Sequence, residues 1–234
     1  MAPKTMEART ALIVGASRGL GLGLAREYLG RGWSVIATER SRSDALHALA
    51  AGAGGRLTIE TLDVADDSQV TAFGSRLGDL ILDLLFLNAG ITGAPDLLSA
   101  AAEEVDAIMH ANAFGPYKLA RRLLERVRPR TGVVAFMSSG MGSIGENTSG
   151  GWEVYRASKA AQNILARSLA VTDARGRGVT VLSINPGWVK TDMGGPNATI
   201  DVPTSVRGIA DQIERREGSG EHAFIGWNGR ELPW

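Results

Sequence analysis

Seven short runs of apolar residues recur along the chain. Within each run, apolar residues occupy successive positions instead of alternate ones, and β-branched residues are frequent. The runs cover residues 11–16, 33–38, 57–64, 82–90, 132–139, 179–187 and 222–229. Strands that are buried on both faces have this pattern. The runs therefore predict about seven strands of a sheet that is covered on both sides.

Segments with helical spacing of apolar residues lie between these runs. They cover residues 21–32, 44–53, 67–79, 103–127 and 155–175. Strands that alternate with helices through right-handed crossovers build a doubly wound, Rossmann-type parallel sheet flanked by helices, so we expect an α/β fold. No linker-like change in composition and no internal repeat divides the chain. A single domain is therefore predicted over residues 10–234, after a flexible N-terminal tail of residues 1–9.

Six of the apolar runs end in small and polar residues. The motifs are GASRGLG, TER, LDV, NAG, SSG and NPG. Ligands of doubly wound sheets bind beyond the carboxyl ends of the strands. Any one of these motifs could be an ordinary turn, but six at one edge of the sheet predict a binding cleft.

The composition excludes several classes of function. Lys plus Arg (25) balances Asp plus Glu (25), so no net field attracts nucleic acid or an anionic membrane. There is no cysteine and the three histidines are scattered, so we expect no metal site, no disulfide and no thiolate catalysis. The first residues are followed by no long apolar stretch, so we expect neither a signal peptide nor a membrane anchor, and a cytoplasmic protein. The basic stretch 121–130 is interpreted as a solvated helix face.

The glycines after the first predicted strand indicate a phosphate site. Gly15, Gly19 and Gly21 are spaced GxxxGxG, which differs from the commoner GxGxxG fingerprint of dinucleotide sites. The physical demands are the same, because the turn must be tight and the backbone must approach a pyrophosphate. The following helix N-terminus offers free N–H groups and the positive end of its dipole. We therefore expect a bound dinucleotide.

The end of the second predicted strand leaves the choice of cofactor open. Glu39 lies 20 residues beyond Gly19, where a carboxylate accepts from a ribose 2′-hydroxyl and selects NAD. Arg40 follows directly and Arg18 lies in the glycine loop, and both could hold a 2′-phosphate. Two guanidiniums could outweigh the carboxylate, or Glu39 could turn aside. We favour NADP(H), with NAD(H) as the alternative.

Tyr155 and Lys159 are spaced i and i+4 in a predicted helix, so they share one face. A phenol has an unperturbed pKa near 10, too high for proton transfer at neutral pH. A neighbouring ammonium stabilises the phenolate and lowers that pKa. The pair therefore predicts an acid/base centre, although by itself it could equally be a surface pair that covers apolar area.

The whole set of motifs resembles the short-chain dehydrogenase/reductase family. The matching residues are Gly15-Ala-Ser-Arg-Gly19-Leu-Gly21, Asp63-Val64, Asn88-Ala89-Gly90, Asn112, Ser138-Ser139, Tyr155-x-x-x-Lys159 and Pro186-Gly187. They follow the family's order over residues 10 to about 193. The loop between residues 141 and 159 and the closing GRELPW are similar to the C-factor or sniffer-type branch.

The resemblance implies an NAD(P)-dependent oxidoreductase that moves a hydride between its cofactor and a carbonyl or secondary alcohol. Tyr155 is then the general acid/base, and Lys159 lowers its pKa and holds the nicotinamide ribose. Ser139 holds the substrate oxygen. Asn112 positions a water that links Lys159 to solvent. Ser139 precedes Tyr155 by 16 residues, more than the usual family spacing, so Ser138 is a rival for its role.

Cofactor contacts are implied along the whole edge of the sheet. The residues are Gly15, Ser17, Arg18, Gly19, Leu20, Gly21, Glu39, Arg40, Asp63, Val64, Asn88, Ala89, Gly90, Tyr155, Lys159, Pro186, Gly187, Val189 and Thr191. Asp63 would meet the adenine amino group, and Asn88 to Gly90 would line the adenosine. Thr191 would contact the nicotinamide carboxamide.

The partners and the substrate are less defined by the sequence. The resemblance implies a homodimer or homotetramer that pairs through helices over residues 103–128 and 153–174. Residues 187–205, rich in Gly, Pro and Thr, are predicted to form a lid over a small-molecule substrate. Trp152, Trp188, Met141 and Met193 either line an apolar substrate pocket or pack in the core or the lid. A cofactor-binding regulatory or signalling protein with little turnover is the alternative function.

Overall fold

The computed structural model describes residues 9–234, and seven parallel strands form its centre. The strands are β1 (Thr10–Val14), β2 (Ser34–Glu39), β3 (Leu57–Thr61), β4 (Leu84–Leu87), β5 (Val133–Met137), β6 (Thr180–Asn185) and β7 (His222–Gly226). Their order in the sheet is β3-β2-β1-β4-β5-β6-β7. The predicted doubly wound α/β fold is therefore confirmed. Of the predicted N-terminal tail, residues 1–8 lie outside the described residues, whereas the Arg9 guanidinium lies 3.9 Å from the centre of the Trp33 ring.

Helices cover both faces of the sheet. They are α1 (Gly19–Gly30), α2 (Asp44–Ala51), α3 (Asp67–Arg76), α4 (Ala102–Met109), α5 (Gly115–Leu123), α6 (Glu153–Leu169) and α7 (Val202–Arg216). One face packs through side chains such as Leu24, Tyr28 and Ile209. The other face packs through side chains such as Phe73 and Leu123. The strands are buried from both sides, as their continuous apolar runs predict.

The predicted helix over residues 103–127 is divided in the structure. A π-helical turn, His110–Phe114, separates α4 from α5, and the Gly115 N–H bonds to the His110 carbonyl five residues back. Pro116 stands in the first turn of α5 and has no N–H to offer to the carbonyl of Asn112. Apolar spacing alone does not report such a change of hydrogen-bond pattern.

Helix α7 has no counterpart among the predicted helices. The Asp201 side chain caps its N-terminus by accepting from the Thr204 N–H at 2.8 Å. Val202, Val206 and Ile209 follow with helical spacing and pack toward the sheet. The predicted lid over residues 187–205 therefore runs into the first turn of α7. Asp201 and the spacing of Val202, Val206 and Ile209 are the sequence signals of this helix.

The surface features bear on the expected partners. Within residues 9–234 no helix is both long and apolar enough to cross a membrane. In the basic stretch 121–130, Arg121 lies 3.6 Å from Asp173 and Arg128 lies 2.6 Å from Asp83, so these cations have acidic neighbours.

Candidate active site

A cavity of about 520 Å³ opens at the carboxyl edge of the sheet. It is lined by residues that follow six of the strands, as the motif positions predict. The predicted site residues that line it are Gly15, Ser17, Arg18, Gly19, Leu20, Arg40, Asp63, Val64, Asn88, Ala89, Gly90, Tyr155, Lys159, Pro186 and Thr191. The predicted site residues that do not line it are Gly21, Glu39, Asn112, Ser139, Gly187 and Val189.

The glycine loop needs its glycines for two separate reasons. Gly15 has φ +83°, and a Cβ there would lie 2.8 Å from the Cα of Ala89. A Cβ on Gly21 would lie 2.1 Å from the Gly15 carbonyl oxygen, so Gly21 permits close packing behind the loop without lining the cavity. Arg18 precedes α1 and makes no side-chain cap, which leaves the helix N-terminus open to a ligand. The loop therefore fits a pyrophosphate group.

The end of β2 presents a cation to the cavity, and its carboxylate turns away. Glu39 is buried, accepts from the Ser43 N–H at 2.7 Å and contacts the His47 Nε2 at 2.9 Å. Arg40 lines the cavity, 4.0 Å from Asp63. The structure thus does not bring the predicted Glu39 to the cofactor cavity, because the start of α2 already occupies its carboxylate.

A second guanidinium also lines the cavity. Arg18 lines the cavity and pairs with Asp192 at 2.9 Å. Lys190 also lines the cavity. Sequence reasoning missed Lys190 and Asp192, although both flank the predicted Thr191. Three cations around one opening fit the phosphates of a dinucleotide.

The segment after β6 is held by short backbone and hydroxyl contacts. Gly187 has φ +80°, and a Cβ there would lie 2.4 Å from the Ile200 side chain. The Thr191 hydroxyl donates to the Val189 carbonyl at 3.3 Å and accepts from the Gly194 N–H at 3.1 Å. Gly187 and Val189 thus shape the segment from behind, whereas Thr191 faces the cavity.

The end of β4 is tied to the glycine loop. The Asn88 amide donates to the Gly15 carbonyl at 2.6 Å. Asp63, after β3, accepts from the Ala65 N–H at 2.9 Å, and Asp63 also lines the cavity. The first bond ties the ends of β4 and β1 together, and Asp63 at the end of β3 lines the same space, consistent with the predicted adenosine end of the cleft.

Tyr155 lies in the first turn of α6 and is partly buried beside Ser139. The Ser139 hydroxyl hydrogen-bonds the phenol, which lowers its pKa, but burial has the larger effect and raises the pKa of Tyr155 above its usual value. Ser139 also accepts from the Met141 N–H at 3.1 Å, which begins a short 3-10 turn. The rival Ser138 lines the cavity, but its buried hydroxyl donates to Asn163 at 2.8 Å. The geometry therefore places Ser139, not Ser138, against the phenol.

The pKa of Tyr155 stays above its usual value although Lys159 lies one helical turn away, because burial has the larger effect. The Lys159 Nζ donates to the Met137 carbonyl at 2.8 Å and lies 5.8 Å from the centre of the Tyr155 ring. Burial lowers the pKa of Lys159 to about 7. The lysine is directed along the cavity, because the carbonyl at the end of β5 attracts its ammonium.

Asn112 ties two walls of the site together. It lies in the π-helical turn and is fully buried. Its Oδ1 accepts from the Ile91 N–H at 2.7 Å, and its Nδ2 donates to the Ile91 carbonyl at 2.8 Å and to Ser158 at 2.9 Å. Ser158 in turn donates to the Tyr155 carbonyl at 2.7 Å. The amide is thus engaged by protein groups, and sequence reasoning missed Ser158 as the link to α6.

The predicted apolar residues near the cleft have different positions. Met193 lines the cavity, whereas Trp152, Trp188 and Met141 do not. The Trp188 indole donates to the Gly194 carbonyl at 2.7 Å. Among residues 9–234 no group of three or more His, Asp or Glu is placed to hold a metal ion.

Comparisons with known proteins agree with this geometry. The family model for short chain dehydrogenases matches residues 9–199. The C-signal protein of Myxococcus xanthus is 38% identical over 169 residues, which are 70% of this chain and 99% of that protein.

Two solved structures extend the likeness over nearly the whole chain. A carbonyl reductase from Pseudomonas aeruginosa in complex with NADP is 39% identical with a TM-score of 0.88, over 97% of this chain and 100% of that chain. The carbonyl reductase Sniffer of D. melanogaster is 32% identical with a TM-score of 0.85, over 97% and 100% of the two chains. The predicted resemblance to the C-factor or sniffer-type branch is confirmed.

Proposed function

The chain belongs to the short-chain dehydrogenase/reductase family and is an NAD(P)-dependent oxidoreductase, and on this basis we propose that it is an NADPH-dependent carbonyl reductase with Tyr155 as proton donor. The observation that carries the proposal is the contact between Tyr155 and Ser139 beside a cavity whose opposite end is built for phosphates. The carbonyl reductase activity of the two structural relatives supports it.

The chain's own residues supply the proton and the electrostatic support. When bound, the reduced nicotinamide supplies a hydride to the carbonyl carbon. The raised pKa keeps the Tyr155 phenol protonated, so its Oη gives a proton to the carbonyl oxygen while Ser139 holds that oxygen. Charge then develops on the phenolate, and the Lys159 ammonium stabilises it across the 5.8 Å that separates Nζ from the ring centre.

Asn112 is a positioning residue in this mechanism. Its side chain holds the Ile91 backbone and, through Ser158, the turn of α6 that carries Tyr155. The side-chain amide of Asn112 is already engaged by Ile91 and Ser158. The predicted water beside Lys159 would therefore be held by the backbone carbonyl of Asn112, to which Pro116 cannot donate. Such a water would return protons to Tyr155.

NADP(H) is the proposed cofactor, with NAD(H) as the weaker alternative. Arg18 and Arg40 face the cavity and Glu39 does not, which supports a site for a 2′-phosphate and offers no carboxylate to a free 2′-hydroxyl. The relative from Pseudomonas aeruginosa was solved with NADP, which agrees with this choice.

The oligomeric state and the cellular location are also proposals. We expect a cytoplasmic homodimer or homotetramer that acts on small molecules. Phe114, Ile164 and Val171, from the segments expected to pair, are exposed apolar side chains. Light scattering that reports only the 24.7 kDa monomer at micromolar concentration would contradict the oligomer.

A regulatory or signalling role is the second candidate, favoured by the likeness to the C-signal protein. A protein that only binds the cofactor does not need Ser139 placed against Tyr155. Oxidation of NADPH with a panel of aldehydes, ketones and quinones separates the two functions. Cofactor binding without turnover on any of them would favour the regulatory role.

Tyr155→Phe tests the mechanism. We expect turnover to fall by roughly 10²–10⁴-fold, the usual contribution of a general acid, while NADPH affinity stays within about twofold. Tyr117→Phe, a partly buried tyrosine of α5, is the matched control and should keep full turnover. A Tyr155→Phe variant with more than about a tenth of wild-type turnover would show that Tyr155 is not the acid.

A further inference from the structure

The last residues of the chain fold back onto the loop that separates Ser139 from Tyr155. We propose that this segment, residues 230–234 (the C-terminal strap), positions the loop of residues 143–151 (the substrate loop) and so sets the affinity for the carbonyl substrate. The proposal rests on the proposed function, because it assigns the strap to the substrate side of the same active site.

Backbone hydrogen bonds join the strap to the start of the substrate loop. The N–H groups of Ile144 and Gly145 both donate to the Trp234 oxygen at 3.1 Å. The buried Ser143 hydroxyl donates to the Pro233 carbonyl at 2.5 Å. These bonds connect positions about 90 residues apart in sequence.

Side chains extend the same contact to Glu146 of the substrate loop and to Arg230 of the strap. Arg230 forms an ion pair with Glu146. A Cβ on Gly145 would lie 3.1 Å from the Pro233 ring, so the glycine lets the strap approach closely. Four successive residues of the substrate loop, 143–146, are therefore held by the strap.

The strap is itself anchored on the outer edge of β7. The Gly226 N–H donates to the Arg230 carbonyl at 2.7 Å, and the Leu232 N–H donates to the Phe224 carbonyl at 2.9 Å. The Trp234 ring stacks on His222, with the ring centres 4.7 Å apart and an angle of 19° between the planes. The strap thus connects a rigid strand of the sheet to the substrate loop.

The remainder of the substrate loop is held from the α6 side, where the Arg156 guanidinium donates to the Gly151 carbonyl at 2.7 Å and to the Ser149 hydroxyl at 2.9 Å. Gly150 and Gly151 have φ of +62° and +68°, and no heavy atom lies near their missing side chains. At the far end, the Trp152 N–H donates to the Pro95 carbonyl at 2.7 Å. A glycine-rich loop fixed at one end only has many conformations, and ordering it on binding weakens affinity.

The strap lies apart from the cofactor cavity. None of residues 230–234 lines that cavity, and none of residues 143–151 does so. Ser139, however, leads directly through its 3-10 turn into the substrate loop. Loosening the strap should therefore change the affinity for the carbonyl substrate and leave cofactor binding unchanged.

Two pairs of variants test the proposal. Trp234→Ala removes the stack on His222, and we expect KM for the carbonyl to rise roughly three- to tenfold, with kcat within about twofold. Trp234→Phe keeps an aromatic ring and should restore most of the affinity. Arg230→Ala should raise KM less, by about twofold to threefold, and Arg76→Ala, which breaks the distant ion pair with Glu60, should leave KM unchanged.

Amide hydrogen exchange gives a readout that does not depend on turnover. In Trp234→Ala, the N–H groups of Ile144 and Gly145 should exchange at least about tenfold faster, while those of β4 stay protected. Unchanged exchange of these two N–H groups would overturn the proposed role of the strap, whether or not the chain reduces a carbonyl. Absence of carbonyl reduction would count against the proposed function alone. A lowered melting temperature with KM unchanged, or a weaker NADPH affinity in Trp234→Ala, would equally overturn the positioning role.

Discussion

The cofactor half of the cleft is built by residues that directly follow strands, such as Gly15, Arg40 and Asn88. The proposed substrate half consists of the substrate loop and the C-terminal strap, which lie outside the cofactor cavity and are about 90 residues apart in sequence. In the cofactor half a parallel sheet brings strand ends together by itself. In the substrate half the geometry depends on a few contacts that could be lost without loss of the fold. The two halves should therefore respond differently to substitution.

The largest effect is expected in the glycine loop. Gly15→Val places a side chain against Ala89 at a φ of +83°, so NADPH affinity should fall roughly 10- to 100-fold through strain of about 1–3 kcal/mol. Titration of NADPH by fluorescence measures this. Gly30→Ala, a helical glycine with no heavy atom near its missing side chain, is the control and should bind normally. Equal NADPH affinity in Gly15→Val and Gly30→Ala would contradict the role of the glycine loop in the cofactor half.

Lys159 lies where the two halves meet and should give the reaction its pH dependence. Its pKa is lowered to about 7 by burial, so the ammonium loses its proton as pH rises through 7. Stabilisation of the Tyr155 phenolate is then lost, and kcat for reduction should fall by about tenfold per pH unit at most. The pH profile of Lys159→Arg, which keeps its charge, should lack this fall. A wild-type profile that is flat from pH 6 to about 9 would refute the role of the charge.

The preference for NADPH over NADH should depend on residues of the cofactor half alone. Arg40→Ala should weaken NADPH binding roughly 10- to 100-fold and leave NADH binding unchanged, since a charge-assisted hydrogen bond contributes about 1.5–3 kcal/mol. Glu39→Gln should change neither constant by more than about twofold, because its carboxylate faces Ser43 and His47. If NADH binds more tightly than NADPH in the wild type, the proposed preference is wrong.

The smallest effect concerns the anchor of the substrate half. Burial lowers the pKa of His222 from 6.5 to about 4, with a smaller contribution from the nearby positive charge of Arg167. Because the folded pKa is the lower one, this stability is complete above pH 6.5 and is lost as pH falls toward 4. We expect a loss of about 1–2 kcal/mol, given the partial exposure of the ring. Urea unfolding near pH 6.5 and near pH 4 measures this loss, and the free energy of unfolding should differ less between the two pH values in His222→Phe than in the wild type.

Local pattern determined most of the fold and of the cofactor half. Five of the seven strands lie inside their predicted runs, and β1 and β2 each extend one residue beyond theirs, because continuous apolar stretches can only be buried between two layers. The glycine loop, Asn88 and Tyr155 reach the cavity because their place at a strand or helix end fixes where the backbone goes. Helix α7 shows the limit of this approach, since its 15 residues follow an irregular loop and were not among the predicted helices although Asp201 caps its start.

The tertiary structure alone decided which of two neighbouring side chains faces the site. Adjacent residues after a strand point in different directions, and only the partners around them show that Glu39 turns to α2 while Arg40 lines the cavity. The same holds for Ser138 and Ser139. The strap on the substrate loop was not predictable either, because its contacts pair residues far apart in the chain and no local spacing encodes them.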